Sequence, residues 1–396
     1  MPYISERGRR MPASPIRKLV PCAETAKRRG IEVIHLNIGQ PDMHTPKPAL
    51  TAVQQARIEV LAYSQSEGPL RFREKWAAYY QKIGCDIHAD QIIATTGGSE
   101  ALCFAFGAIM DAGDEVIVPE PLYANYNGFA TSSNVRIVPV VSSLESGFAL
   151  PDISDFERLI SARTRAVLIC NPSNPTGYLY TRGELEKLAD LALKHGLFLI
   201  ADEVYREFVY DGRAPHSLLS FAGLDDCAIV VDSLSKRYSM CGARVGCVVS
   251  RNAVFRDAIT RFAQARLSPP TLGLLVGEAA LDTPQSYFDE VVAAYEHRRN
   301  VLVESLNAME GVYTPKPSGA FYCVAQLPVD DADRFAQWLL EDFSLDGKTV
   351  MLAPASGFYT EPECGKDQVR IAYVRKAEIL CEAVRILGAA LKAYNS

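Results

Sequence analysis

The residues of this chain best suited to chemistry stand just beyond short apolar runs. Lys236 closes Asp232-Ser233-Leu234-Ser235-Lys236, directly after the apolar run 228–231. An amine there, flanked by small hydroxyls, is either a surface lysine or a nucleophile that condenses with a carbonyl to form a Schiff base. Asp202 ends a second run, in Ala201-Asp202-Glu203-Val204-Tyr205. A carboxylate just past a buried strand can cap a helix, or it can pair with a cation such as a protonated ring nitrogen. Tyr205, three residues on, would share the side of Asp202 across one helical turn, or serve as a core aromatic. Asn171-Pro172-Ser173-Asn174-Pro175-Thr176-Gly177 follows the run 166–169. Two Asn-Pro steps and a glycine specify a rigid loop at a strand's C-terminal edge, where open α/β sheets bind ligands.

Two further segments suit an anion. Thr95-Thr96-Gly97-Gly98-Ser99-Glu100 joins a strand to a helix. Free N–H groups and the helix dipole favour a phosphate there, although a plain helix cap reads the same way. Gly242-Ala243-Arg244-Val245-Gly246 follows Lys236 closely and brings a guanidinium to the same strand edges, a group that suits a phosphate dianion.

Such residues need a scaffold that gathers strand ends. Residues 92–95, 115–118, 136–140, 166–169, 198–200, 228–231 and 246–249 read as strands separated by helical stretches. Their runs are continuously apolar rather than alternating, which indicates a sheet covered on both faces, mostly parallel and crossed by helices. Thr181-Arg182-Gly183-Glu184 reads as a capping box that opens a helix running to about His195, with Gly196 as its stop. After Pro284 the order loosens: a helix over 285–310, a strand at 321–325, a helix at 331–341, a strand at 368–373 and a closing helix over 376–392. The expected fold is α/β, a mostly parallel sheet sandwiched by helices over 45–284. A smaller α+β domain built from 1–44 plus 285–396 completes it.

Composition narrows the function classes. The chain has 396 residues, with 41 Lys and Arg against 47 Asp and Glu, a net charge of −6. An acidic balance without a basic stretch argues against nucleic acid as a partner. No apolar run approaches the ~20 residues of a membrane span, and the N-terminus has no apolar signal region, so a cytoplasmic protein is expected. Ten cysteines form no CxxC pair; they read as reduced core thiols, and no metal is expected.

In chain order, LNIGQPD at 36–42, TTGGSEAL at 95–102, NPSNPTG at 171–177, ADEVY at 201–205, SLSK at 233–236, ARVG at 243–246 and VRIAY at 369–373 cover nearly the whole sequence. Together they resemble the class I/II, fold-type-I aminotransferases that depend on pyridoxal 5′-phosphate, the aspartate aminotransferase superfamily. The resemblance implies a large cofactor domain, a small domain made of both termini, and a homodimer with shared active sites. It makes Lys236 the Schiff-base lysine and proton shuttle and Asp202 the partner of the ring nitrogen. Asn174 and Tyr205 would hydrogen-bond the ring's phenolic oxygen. Gly98, Ser99, Ser233, Ser235 and Arg244 would hold the phosphate, Tyr123 would stack on the ring, and Tyr63 would reach the partner subunit's phosphate. Arg370 would bind the substrate α-carboxylate with Asn174 and the backbone of Gly39.

The implied reaction is transamination of an L-amino acid, aspartate or a similar donor favoured, with a 2-oxo acid such as 2-oxoglutarate. Alternatives on the same scaffold are β-elimination of a cysteine conjugate, or a broad-range alanine, branched-chain or aromatic aminotransferase. The extra cation of dicarboxylate-specific members has no counterpart in register: position 99 is serine, and Ala263 falls where relatives bring an arginine from the partner. Arg266, just before Ser268-Pro269-Pro270, is the nearest candidate, or else an ordinary interface arginine.

Overall fold

Val-, Ile- and Leu-rich runs with few polar interruptions dictate strands buried on both faces. The computed structural model, which describes residues 2–361 and 363–396, assembles seven of them into one sheet. The first strand of the chain, β1 (Glu32–His35), stands outside it. The sheet holds β2 (Ile92–Thr95), β3 (Glu115–Glu120), β4 (Arg136–Val141), β5 (Thr164–Cys170), β6 (Phe198–Asp202), β7 (Ala228–Ser233) and β8 (Gly246–Val249), in the order β2-β8-β7-β6-β5-β3-β4. Strands β3 to β7 pair in parallel, whereas β8 runs antiparallel to both β7 and β2.

That reversal matters for the site. The end of β7 and the end of β2 both lie beside the start of β8, with Ser233 and Thr95 each opposite Gly246. Asp202, at the end of β6, lies opposite Val231. The segments singled out by residue type therefore emerge along one edge of the sheet, where the strand ends of an open α/β fold leave a crevice.

Helices close both faces. Helix Gly97–Ile109 follows β2, and helix Arg182–His195 links β5 to β6. The latter has the expected capping box, with Thr181 Oγ1 accepting from Glu184 N–H and Glu184 accepting from Thr181 N–H, and it stops at left-handed Gly196. One apolar cluster contains Leu168, Ile200, Ile229 and Val231; the other contains Val167, Leu199, Ala201 and Val230. Alternate residues of each strand thus feed opposite cores, as the period of two requires.

The remaining strands are β9 (Tyr322–Gln326), β10 (Lys348–Met351), β11 (Ala353–Pro354) and β12 (Gln368–Ala372). β12 lies between β11 and β9, antiparallel to both, while N-terminal β1 pairs in parallel with C-terminal β10. Helix Gln285–Asn307 ends three residues short of the 310 expected from the apolar period. Strands β1, β10 and β11 have no counterpart in the sequence reading: β1 and β10 each carry a charged residue within four positions, unlike the equally short but wholly buried β2 and β8, and β11 is two residues long. Among the described residues, no helix is long and apolar enough to cross a membrane.

Candidate active site

The crevice at the strand ends is a cavity of about 610 Å³ lined by Gly39, Gly98, Ser99, Tyr123, Asn174, Asp202, Tyr205, Ser233, Ser235, Lys236, Arg244 and Arg370. Residues spread over more than 300 positions of sequence meet here because most of them follow a strand or lie just before one, while Arg370 stands within β12.

Lys236 sits in the single helical turn Leu234–Arg237 directly after β7. Ser233 caps that turn by accepting from Ser235 N–H, so the strand end is converted at once into a turn that lifts the lysine from the sheet edge. Its Nζ donates to the Gly39 carbonyl at 2.8 Å and lies 3.7 Å from Cys241 Sγ. Among the described residues it has no carboxylate within 4.0 Å. Gly39 must be glycine: a Cβ there would fall 1.7 Å from Tyr322 Oη. Cys241 departs from the reading of the cysteines as core thiols, since it is half-buried in the cavity wall.

Asp202 is 5% exposed, and its carboxylate accepts from Tyr126 Oη at 2.8 Å and Val204 N–H at 3.4 Å. No Lys, Arg or His lies within ion-pair distance of it among the described residues. Burial pushes its pKa up to about 6, against the lowering pull of the two hydrogen bonds. Tyr126 escaped the sequence reading; the signal was its spacing of three from Tyr123, against which its ring packs edge-on at 5.3 Å.

Arg370, on β12, is 1% exposed and also lacks a counter-ion among the described residues. Its Nη1 donates to Asn174 Oδ1 at 3.1 Å and its Nη2 to the Asn37 carbonyl, while Nε has no partner. Its guanidinium lies 4.5 Å from the centroid of the Tyr322 ring and 5.0 Å from that of Phe358. Burial pulls its pKa down from the ordinary arginine value. Asn174 Nδ2 in turn donates to Tyr205 Oη at 3.3 Å, which meets Tyr322 Oη at 3.1 Å. A buried guanidinium close to two aromatic rings, with an orphaned N–H, suits a planar anion such as a carboxylate. The carbonyl that touches it belongs to Asn37; Asn37 and Tyr322 were both missed in the sequence.

The opposite end of the cavity is built for a more charged anion. Gly97 takes φ +75°, and a Cβ there would come within 2.5 Å of Arg244 Nη2. That close approach sets the Arg244 guanidinium against the first turn of helix Gly97–Ile109. In that turn the N–H groups of Gly98 and Ser99 have no partner within the helix. Among the described residues Arg244 donates only to the carbonyls of Cys241 and Thr96, and it takes φ +56°. Ser233 and Ser235 hydroxyls, 2.9 Å apart, complete the wall.

Two residues stand elsewhere. Tyr63 is 78% exposed and does not line the cavity of its own chain. Arg266 corrects the reading of a free cation near the pocket: Nη1 donates to Glu100 Oε2 at 2.8 Å and Nη2 to the Ser66 carbonyl at 2.8 Å. It faces its own subunit's helix start because Glu100, four residues beyond Thr96, offers a carboxylate there.

The sequence pattern of the family described as aminotransferase class I and II matches residues 31–385. The chain belongs to that family. Aminotransferases of several substrate classes resemble it equally well. It is 30% identical to an aspartate aminotransferase of Pyrococcus horikoshii, over 98% of this chain and 97% of the relative. It is 31% identical to aromatic-amino-acid aminotransferase 2 of Thermococcus litoralis, over 98% of each. Its fold superposes on an alanine aminotransferase from Pyrococcus furiosus with a TM-score of 0.90 at 32% identity, covering 99% of this chain and all of that one.

As an aminotransferase of this family the enzyme depends on pyridoxal 5′-phosphate. The residues present fit that group. Among the described residues Asp202 is a buried carboxylate without a cation, which a protonated ring nitrogen would supply; Arg244 with the helix start offers donors to a phosphate; and Lys236 offers an amine with no acidic partner.

Proposed function

We propose that this aminotransferase moves the amino group of an L-amino acid, aspartate favoured, to a 2-oxo acid such as 2-oxoglutarate. The observation that carries the reading is the convergence of Lys236 Nζ, the unpaired Asp202 carboxylate and the unpaired Arg370 guanidinium on one cavity. When bound, pyridoxal phosphate supplies a carbonyl for the amine and an electron-withdrawing ring that makes the substrate Cα–H acidic.

The chain's own residues do the rest. Arg370 and Asn174 orient the substrate α-carboxylate, and the aromatic faces of Tyr322 and Phe358 keep water from that guanidinium. Asp202 holds a proton on the ring nitrogen, with Tyr126 fixing the carboxylate's rotamer. Lys236 Nζ, released from the Gly39 carbonyl, would take the proton from the substrate Cα and return it two atoms away, at the cofactor carbon; hydrolysis by water would then free the oxo acid and leave the amino group on the cofactor for the second 2-oxo acid. Asn174 and Tyr205 would hydrogen-bond the ring oxygen, Tyr123 would stack on the ring, and Gly98, Ser99, Ser233, Ser235 and Arg244 would hold the phosphate.

A homodimer with shared sites is part of the proposal. Val60, Leu61 and Tyr63 are 77%, 61% and 78% exposed in one short segment, and contiguous exposed apolar surface marks an interface. All ten cysteines are unpaired, which fits a cytoplasmic setting.

One experiment tests both parts. Lys236→Ala is expected to lose at least about 100-fold in transamination, the contribution of a positioned proton-transfer group. Borohydride reduction of wild type should leave the pyridoxyl label on Lys236. A label on another lysine overturns the assignment. Mixing Lys236→Ala with Tyr63→Ala subunits should regain activity through the one unlesioned site of each mixed dimer; no gain after verified exchange counts against shared sites.

A further inference from the structure

Four cations line the cavity: Lys236, Arg244, Arg370 and Arg17. The proposed reading uses the first three. Arg17 is left over, and no acidic lining residue other than Asp202 accompanies it. Its backbone is pinned on both sides. Pro15 packs so closely on Gly357 that a Cβ there would come within 2.3 Å of it, and Asn37 Nδ2 donates to the Ile16 carbonyl at 2.9 Å. On the other side Lys18 pairs with Asp333, and Leu19 is buried beside Ala23, Ala26 and Val33. Between these anchors the Arg17 guanidinium has, among the described residues, neither a hydrogen bond nor a carboxylate within 4.0 Å.

Asn37 also fixes where Arg17 stands relative to Arg370. Its carbonyl accepts from Arg370 Nη2, while its side chain holds the residue preceding Arg17. The two guanidiniums therefore belong to one wall, joined through a single residue. A donor whose α-carboxylate met Arg370 and whose side chain lay along that wall would bring a side-chain carboxylate to Arg17, the kind of second cation such a group favours. Position 99 offers only a hydroxyl, and Arg266 is engaged by Glu100.

We propose that Arg17 is the cation for the distal carboxylate, so that the enzyme takes dicarboxylic amino donors and 2-oxo acids. This rests on the transaminase reading above. Arg17 is exposed at the cavity mouth, so it selects among substrates without itself touching the reacting atoms.

The test compares aspartate, glutamate, alanine and phenylalanine as donors for the loaded enzyme, and measures succinate against propionate binding by calorimetry. In Arg17→Gln the aspartate-to-alanine ratio of kcat/KM should fall about 10- to 100-fold, as loss of one charge-assisted hydrogen bond does. The fall should lie in KM. The succinate-to-propionate affinity ratio should fall with it, and Arg17→Lys should recover part of both. Equal losses for all four donors, no loss, or a loss confined to phenylalanine overturns the role of Arg17. Wild type that transaminates alanine or phenylalanine but neither acidic donor overturns it too and leaves the transaminase reading intact. Failure with every donor overturns that reading instead.

Discussion

Two buried aspartates on neighbouring strands have opposite surroundings. Asp202 ends β6 opposite Val231, and Asp232 is the next residue along β7, so strand alternation turns their side chains to opposite faces of the sheet. Asp232 is fully buried and fully satisfied. Both its oxygens accept from Arg237 Nη2, at 3.0 and 2.9 Å, and Arg206 Nη1, Tyr80 Oη and Ser233 N–H add further contacts at 3.4, 3.0 and 2.7 Å. Burial alone would raise its pKa, yet Arg237 and Arg206 outweigh burial and hold it below the ordinary carboxylate value. Asp202 has the same burial and no cation, and its pKa goes the other way, to about 6. The chain completes the charge that holds Lys236's turn from behind and leaves incomplete the charge that faces the cavity. An uncompensated buried charge is costly to the fold alone, so its persistence here marks the place where a ligand supplies what the protein lacks.

The sharpest way to break this contrast is to remove Asp232's charge. Asp232→Asn leaves Arg237 and Arg206, both almost fully buried, without their shared carboxylate. Breaking a buried pair from one side typically costs about 3–5 kcal/mol. Urea denaturation should show a loss of that size with and without cofactor and at every pH from 5 to 9. A loss below about 1 kcal/mol would mean that Glu203, which also pairs with Arg206, and Glu207, 3.4 Å from Arg237, suffice to compensate the two guanidiniums.

Asp202→Asn should act in the opposite direction in the cofactor-free protein. The native group binds protons more tightly than the unfolded one, so its stabilising, neutral form is fully populated below about pH 4 and lost as pH rises through about 6. The span from the ordinary 3.8 to about 6 sets a ceiling of about 3 kcal/mol. The variant should therefore match wild type near pH 4 and exceed it by up to that amount near pH 8. Loading pyridoxal phosphate should stabilise wild type more than the variant, reversing the order. A variant less stable than wild type at pH 8 before loading would show that Asp202 already has a counter-ion.

The contrast was only half legible in the sequence. Apolar runs and turn residues place Asp202, Asn174 and Lys236 at strand ends, because both the strand and its terminus are local features. The sheet edge and the layered fold follow from them. Asp232 stood in the quoted run before Lys236, yet nothing local separates its role from that of Asp202. Its partners Arg206 and Tyr80 come from other elements, and their meeting depends on how the helices pack. Tyr126, Asn37 and Tyr322 escaped for the same reason: each acts through a contact between segments distant in sequence. Cysteine spacing could not distinguish Cys241 in the cavity wall from Cys247 in the core, since only the emergence of the chain from the sheet sets them apart. Arg266 stayed open between a substrate cation and an ordinary interface arginine because its register gives no view of Glu100, the carboxylate that engages it.

Arg266 supplies the smallest and most discriminating test, because it lies between the two extremes. Its pair with Glu100 is partly exposed, with side-chain exposures of 14% and 19%, and its guanidinium also stands 5.7 Å from the Phe104 ring centroid. Exposed pairs are worth under about 1 kcal/mol and buried ones several times that, so Arg266→Ala should cost about 1–2 kcal/mol. The Glu100 left behind still accepts from Thr96 N–H at 2.8 Å and remains favourable in the first turn of helix Gly97–Ile109, where the dipole welcomes a negative charge. The damage should therefore appear at that helix start, which presents the Gly98 and Ser99 amides. Cofactor retention should weaken, and activity with aspartate and with alanine should fall in parallel. A loss confined to aspartate would return Arg266 to the substrate, displace Arg17 from the distal carboxylate, and show that the ion pair with Glu100 opens when a dicarboxylic donor enters.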